Sequence, residues 1–352
     1  ADSQRMREAL AALDTVVVID VALTETARCA HYVLPAASQY EKWEATFFNL
    51  EFPRNVFHLR APIFEPVPGT LAEPEIHSRL VHALGVLTGD DLADLHAAAA
   101  RIPAEGRGPF AEAFFRFRAE RPHLEPLVPV VLYDTLGPTL PEGGASAALL
   151  WGAAHICAMS YPESVRRAGF EGDGLALGEA LFDALLRERS GVVFTVDEYE
   201  ETWRRLATPD GRIRLDVGEL LEEFRALAGE DPAARDPEFP LVLSAGERRS
   251  STANTIFRDP TWRKKDAGGA LRMSPADAER LGLTDGGRAR LITRRATVET
   301  LVEVSDTLLP GHVSLPNGLG LSYPDTEGRE RVYGVPTNEL TASADRDWLA
   351  GT

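Results

Sequence analysis

Residues 241–259 read LVLSAGERRSSTANTIFRD, and this stretch concentrates the residue types most suited to holding a charged ligand. Three apolar residues, Leu241, Val242 and Leu243, are followed by Gly246, Glu247, Arg248, Arg249, Ser250, Ser251, Thr252, Asn254 and Thr255. A glycine lets backbone N–H groups come close to a bound molecule. Arginine forks match phosphate geometry, and hydroxyls and amides can read the edges of rings. A strand that empties into this mixture suits a polar, anionic ligand with several arms. A strand followed by a solvated loop is the other reading of the same residues.

Composition narrows the classes. The chain has 352 residues, which suggests two or three domains, and 44% of them are hydrophobic, enough for a sizeable core. Thirty-seven Lys and Arg stand against 54 Asp and Glu, a formal charge of −17. That balance disfavours nucleic acid and an anionic membrane surface as partners. It still allows an anionic ligand in a local basic pocket such as Arg248 and Arg249 would make. The two cysteines, Cys29 and Cys157, lie far apart and form no CxxC pair. We therefore expect neither an iron–sulfur cluster nor a structural zinc site within the chain, and a reducing, cytoplasmic setting. No apolar run approaches the ~20 residues of a membrane span. Residues 1–14 read as an amphipathic helix without a signal-peptide core, and the first residue is Ala1, not methionine.

The positioning elements follow in order. Residues 3–13 carry Met6, Leu10 and Leu13 at helical spacing. The run 15–20, TVVVID, is continuously apolar up to Asp20, which predicts a parallel strand buried on both faces. Its terminal aspartate lies where ligands of open α/β sheets bind. Thr24 is expected to open a short helix over 24–30, and 31–35 a second strand stopped by Pro35. Residues 41–55 mix aromatics with Asn49, Glu51, Arg54 and Asn55 without a period, the appearance of an ordered loop that is either ligand-adjacent or merely structural. A helix is expected over 73–84. From 88 to 237 helical patterns dominate, at 91–101, 110–119, 145–159, 174–188 and 216–228, with one strand at 192–194. His96, His123 and His155 read as ordinary surface or core residues, and the glutamates at 198–201 and 222–223 as a solvated face. After prolines at 232, 237 and 240 the chain turns β-rich. Ser274 caps a short helix with Pro275 in its first turn and Gly282 after its end, and strands are expected at 288–293, 297–304 and 312–315. The fold expected is α+β: an α/β, Rossmann-like portion at 1–87, a helical region at 88–237 and a compact β-barrel at 238–352.

Three segments give the chain a resemblance to the molybdopterin-dependent oxidoreductases of the dimethyl sulfoxide reductase and formate dehydrogenase group. The first is Asp20-Val-Ala-Leu-Thr24 with Tyr32-Val-Leu-Pro-Ala, Glu41 and the loop from Thr46 to Asn49. The second is the stretch from Leu241, and the third runs from Ser274 to Thr293 and closes with VPTNELT at 335–341. The resemblance implies that the last domain is a double-psi β-barrel holding a bis-molybdopterin guanine dinucleotide with molybdenum or tungsten. It implies that the [4Fe–4S] cluster motif and the metal-ligating residue belong to an upstream half, since nothing here takes those roles. An electron-transfer subunit is a further implied partner. By this resemblance the cofactor-binding residues are Asp20, Thr24, Asn49, Gly246, Glu247, Arg248, Ser251, Thr252, Asn254, Asn317 and Asn338. Asp20 would accept from the guanine N1–H and amine. The amides and hydroxyls of Ser251, Thr252, Asn254, Asn317 and Asn338 would meet the pterin edges, and the residues from Gly246 to Arg249 the phosphates. No catalytic residue or protein metal ligand is expected within the chain, which alone is expected to be inactive. A stand-alone cofactor carrier without redox activity, and an unrelated β-barrel enzyme using Glu247 and Arg248 as acid and base, are the competing readings.

Adjacent residues after a strand point in different directions, so only one of Arg248 and Arg249 is expected to face a phosphate, and Arg248 stands nearer the glycine. A charge-assisted hydrogen bond is worth roughly 1.5–3 kcal/mol. Arg248→Ala should therefore weaken cofactor retention about tenfold or more, whereas Arg249→Ala should cost under about 1 kcal/mol. Molybdenum and pterin retained per chain after dialysis of the cofactor-loaded enzyme measure this; equal losses would contradict the assignment.

Overall fold

A computed structural model describes residues 2–46, 51–141, 143–188, 190–231, 234–247 and 269–345, with the side chains of 245–247 outside the description. The chain divides into two compact units, one of residues 17–213 and one of residues 1–16 with 214–352.

Helix α1 (Ser3–Ala11) belongs to the second unit. Asp2 caps it by accepting from the Arg5 N–H at 3.2 Å. The same carboxylate accepts from the Ser343 N–H and hydroxyl, each at 3.1 Å, and from Arg295 at 2.7 Å. The Ser343 N–H foremost holds Asp2 down to about 2.

The unit of residues 17–213 begins with β1 (Val17–Asp20) and β2 (Tyr32–Pro35), paired in parallel with Val17 opposite Tyr32 and Asp20 opposite Pro35. The expected burial on both faces is not met: Val17 is 45% exposed and Tyr32 64%. A parallel strand is buried by its neighbours and crossover helices, and this sheet has two strands. The expected helix over 24–30 is a single 3₁₀ turn, Ala27–Cys29. Residues 41–55, read as an aperiodic loop, contain β3 (Glu44–Ala45) and the start of β4 (Arg54–Phe57), and β5 (Leu59–Arg60) follows. Of these, β3 pairs with β5, while β4 pairs antiparallel with β6 (Val192–Val196). Such short strands carry too few residues for a visible period, and the partner of β4 lies far along the chain.

Among the described residues nine helices follow in this unit, five of them where helical patterns were expected, at 73–84, 91–101, 110–119, 145–159 and 174–188. They are α2 (Glu73–Ala83), α3 (Gly89–Ala99), α4 (Ile102–Glu105), α5 (Gly108–Glu120), α6 (Val128–Thr135), α7 (Ala148–Ser160), α8 (Pro162–Arg167), α9 (Leu175–Arg187) and α10 (Tyr199–Thr202). The Thr88–Asp91 capping box starts α3. The α6 segment went unpredicted because its apolar VPVVL has no amphipathic period; it is helical because it is buried around Val131 and Leu132. Apolar residues at helical spacing build one core: Phe110, Phe114 and Phe117 on α5, Trp151, Ala154 and Ala158 on α7, and Leu177, Leu181 and Leu185 on α9. Trp151 meets the rings of Phe110 at 5.5 Å and Phe114 at 5.3 Å, both edge-on. Trp43 and Leu59 join the same core, so the strands before residue 60 and the helices share one interior.

Inside that interior Glu179 receives three donors. Trp151 Nε1 donates at 2.7 Å, His155 Nε2 at 3.1 Å and Arg107 Nε at 2.5 Å. His155 is buried, and its Nδ1 faces Gly178, where a Cβ would lie 2.2 Å from it.

The other unit continues with α11 (Gly218–Ala226), β7 (Val242–Glu247), β8 (Leu271–Met273), α12 (Pro275–Leu281), β9 (Arg288–Ile292), β10 (Thr297–Val304), β11 (His312–Pro316), β12 (Ser322–Pro324), β13 (Glu330–Val332) and α13 (Thr337–Leu340). Five strands form a mixed sheet in the order β7-β11-β8-β10-β9, and β12 with β13 makes a hairpin. The α12 punctuation is as expected: Ser274 accepts from the Asp277 N–H at 3.1 Å, and Gly282 ends the helix with φ 65°. Asp277 also accepts from the Gly311 N–H at 2.7 Å, tying the helix to the entrance of β11. Leu271, Met273, Val302, Val313, Leu315, Val335 and Leu340 form this unit's core. By contrast α11 buries none of its residues, and Phe224 is 73% exposed.

Burial pushes the Glu179 carboxyl up, but the bonds from His155, Trp151 and Arg107 outweigh it and hold it at about 2, below its ordinary 4.5. A depressed carboxylate stabilises the fold above the unfolded-state value and loses that contribution as pH falls through the folded one. Melting temperature should therefore fall between about pH 4.5 and about pH 2. Glu179→Gln should flatten that part of the curve while lowering stability at pH 7; an unchanged acid slope would show that the network is not formed.

Candidate functional site

The pairing of β7 with β11 places the first group of candidates. It is parallel, with His312 opposite Val242 and Leu315 opposite Ala245, and it then slips so that Pro316 faces Glu247. Gly246 and Glu247 thus finish one strand where Pro316 finishes its neighbour and Asn317 follows. Strands that end together leave backbone groups beyond the last ladder pair in need of other partners. Asn317 Oδ1 accepts from the Gly318 N–H at 2.8 Å, and its amide nitrogen makes no hydrogen bond among the described residues.

Three glycines hold the loop after Asn317 in shape. Gly269, Gly320 and Gly334 have φ of 56°, 77° and 71°, values that L side chains rarely adopt. A Cβ on Gly269 would lie 2.2 Å from Leu319 Cδ1, and one on Gly320 would lie 2.1 Å from the Pro336 nitrogen. The Gly320 N–H donates to Tyr333 O at 2.8 Å. The 317–320 loop therefore packs on the segment that leads through Val335 and Pro336 into α13. Asn338, the second residue of α13, is exposed. Arg7 of α1 bonds Glu339 at 2.6 and 3.0 Å, bracing that short helix. The sequence reading named Asn317 and Asn338 but not the glycines between them; the G-x-G at 318–320 was the signal available.

In the other unit Asp20 and Thr24 do come together. Asp20 Oδ1 accepts from the Ala22 N–H at 3.2 Å, and Thr24 Oγ1 donates to Oδ2 at 3.4 Å. Thr24 Oγ1 in turn accepts from the Ala27 N–H at 3.2 Å, although the cap position of the 3₁₀ turn is held by Thr26 without a side-chain bond, not by Thr24 as expected. A carboxylate has about four lone-pair positions, so Asp20 keeps acceptor capacity beyond these two bonds. Glu41 braces the neighbouring chain by accepting from the Ser38 N–H at 2.8 Å and the Val67 N–H at 3.2 Å, and the Ser38 bonds hold its carboxyl below the usual range.

Asn49, Arg248, Ser251, Thr252 and Asn254 lie outside the described residues, as does the Glu247 side chain. Among the described residues no group of three His, Cys, Asp or Glu side chains is arranged to hold a metal ion. What the described groups offer is hydrogen bonding: a carboxylate with open lone pairs, an amide and turned backbone, without a nucleophile beside a base. No described helix is long and apolar enough to cross a membrane.

Comparison with known proteins agrees with this chemistry. Residues 241–352 match the profile of the Molydopterin dinucleotide binding domain, and residues 1–66 that of Molybdopterin oxidoreductase. The probable oxidoreductase YoaE of Bacillus subtilis is 23% identical over 338 residues, which is 96% of this chain and 39% of that protein. The NADPH-Fe(3+) oxidoreductase subunit alpha of Geobacter sulfurreducens is 22% identical over 231 residues, 50% of this chain and 27% of that one. The solved acetylene hydratase of Pelobacter acetylenicus has a TM-score of 0.44 and 17% identity, covering 90% of this chain and 35% of its own, a likeness too weak to carry a fold assignment. The chain belongs to the molybdopterin-dependent oxidoreductase family. It spans well under half the length of these relatives.

Gly320→Ala should destabilise the unit that contains the sheet by about 2–3 kcal/mol, since it forces a methyl against backbone that cannot retreat. The midpoint of its denaturation measures this, and a wild-type value would mean that the 317–320 loop does not pack on Pro336.

Proposed function

We propose that this chain is the cofactor-binding portion of a formate dehydrogenase-like molybdopterin oxidoreductase, and that the metal-ligating and iron–sulfur parts lie upstream of it. The observation that carries the reading is the shared end of β7 and β11, which gathers Gly246, Glu247 and Asn317 inside the segment matched by the dinucleotide-binding profile. The alignment of 96% of this chain with only 39% of the Bacillus relative supports the placement as one portion of a larger enzyme.

The residues present fit a bis-molybdopterin guanine dinucleotide. Positive-φ glycines let backbone approach a ligand closely, and Gly320 and Gly334 supply them beside Asn317. Asp20 has the acceptors that the paired donors of guanine need. Asn317 and Asn338 offer amides to the pterin edges, and Thr24 orients Asp20 through its hydroxyl. The stretch from Gly246 to Arg249 meets the phosphates on a last domain of double-psi β-barrel form. When bound, the cofactor, with molybdenum or tungsten, supplies the redox chemistry; this chain's residues bind and orient it. The Geobacter relative is named as a subunit, which supports an electron-transfer partner here as well.

Asp20 gives the test. Leaving guanine donors unpaired costs about 1–3 kcal/mol, so Asp20→Ala in the complete enzyme should lower pterin and metal content per chain. Asp20→Asn should lower it too, because one amide oxygen cannot serve both donors. Thermal unfolding of the variants before cofactor loading should match the wild type. Full occupancy in both variants would remove Asp20 from the site.

A further inference from the structure

A cleft of about 310 Å³ opens in the helical region, lined by Ser160, Tyr161, Ser164, Glu201, Arg204 and Arg205 among others. Arg205 is part of that lining. One of that residue's terminal nitrogens, Nη2, donates to Asp197 Oδ1 at 2.5 Å and to Ser164 Oγ at 3.1 Å. The guanidinium lies over the Tyr161 ring, 4.4 Å from its centre. Asp197 is itself buried and fixed from behind by Asn55 Nδ2 at 2.9 Å, which also reaches Thr195 Oγ1 at 2.9 Å. Arg205 is therefore held before any ligand arrives, and its Nε and Nη1 carry no hydrogen bond among the described residues. Holding a side chain in its bound geometry removes the entropy cost of ordering it on binding.

Around the cleft Glu163, Asp173, Asp197, Glu198 and Glu201 are each engaged by Arg166, Arg167 or Arg205, which leaves Arg204 outside these pairs. Glu201 is taken by Arg167 at 2.6 and 3.1 Å, Glu163 by Arg166 at 2.6 Å, and Asp197 by Arg205. Arg204 has no carboxylate within ion-pair distance among the described residues; its field reaches Glu201 without a hydrogen bond. The volume is at the lower end of the ~300–1,000 Å³ of small-molecule sites, and the arginine forks suit carboxylate or phosphate.

We propose that this cleft binds a small polar oxyanion, with Arg204 and Arg205 as its cationic clamp and the hydroxyls of Ser160 and Tyr161 as further partners. The charge left on Arg204 provides attraction, and the fixed Arg205 provides geometry. Nothing in the proposal depends on the cofactor reading above.

Isothermal titration of the full chain with inorganic phosphate and, separately, with succinate, at constant ionic strength and against chloride, tests this. A saturable isotherm with either ligand, weakened about tenfold or more by Arg204→Gln, supports the site; which ligand saturates distinguishes a phosphate from a carboxylate occupant. Arg204→Lys should retain part of the affinity, as it keeps the charge and loses the fork. Hydrogen exchange should slow at residues 160–164 and 203–205 in the presence of the ligand that binds. No saturable binding of either anion, or equal affinity in correctly folded Arg204→Gln, overturns the proposal.

Discussion

The parallel pairing of β7 with β11 is the constraint on which the sheet-containing unit depends. Two parallel strands cannot be joined by a tight turn, and here about 65 residues separate their ends, a gap read directly from the strand limits. That connection holds α12 and the β9–β10 pair, and it returns to the sheet through β8, which borders β10 on one side and β11 on the other. Side chains alternate along a strand, and Val313, Ser314 and Leu315 are all buried, so a slip of one residue would put the Ser314 hydroxyl where Val313 and Leu315 pack in the core. The irregularity comes at Leu315/Pro316, at the end of the β7–β11 pairing. That is where the candidate ligand groups sit.

A different device organises residues 17–213. Here the sheet elements are too small to build a core, with five of the six described strands no longer than four residues and two of those only pairs. Helices supply the apolar surface, and buried polar groups fix how they meet. Glu179 draws α5, α7 and α9 together through Arg107, Trp151 and His155, while Asp197 and Asn55 lock β4 to β6. Buried charge is costly unless satisfied, and both carboxylates are satisfied several times over. Each network therefore selects one arrangement of its elements, because any other strands a charge.

Family membership and net charge combine in an instructive way. A strongly acidic chain appears ill suited to phosphates, yet whole-molecule charge governs solubility and long-range steering, not the local pocket. Recognition of an anionic ligand rests on short-range groups such as backbone N–H and side-chain amides. The helical region between the two matched segments carries its own polar networks and its own cleft. Its role is accordingly a matter for its own residues and not for the family profile, which stops at residue 66 and resumes at 241.

Much of this was legible in the amino-acid sequence because it is local. Phe110, Phe114 and Phe117 announce α5 by spacing alone, and Ser274, Pro275 and Gly282 delimit α12 by capping chemistry that acts within one or two turns. The hydrogen bond from Thr24 to Asp20, four residues apart, is of the same local kind. The family was readable too, since its segments keep their order and residue types. Burial and partnership were not. Val17 looks like a core strand by composition, but composition does not say how many strands will flank it. Nothing near Asn55 reveals that Thr195 and Asp197 will meet it, nor does anything near His155 reveal Gly178. Those pairings come from tertiary packing, where the free energy of a contact depends on residues distant in sequence, 140 positions apart for Asn55 and Thr195. Residue types and short-range order were thus determined by the sequence as read, and the tertiary structure alone decided which distant groups share a site.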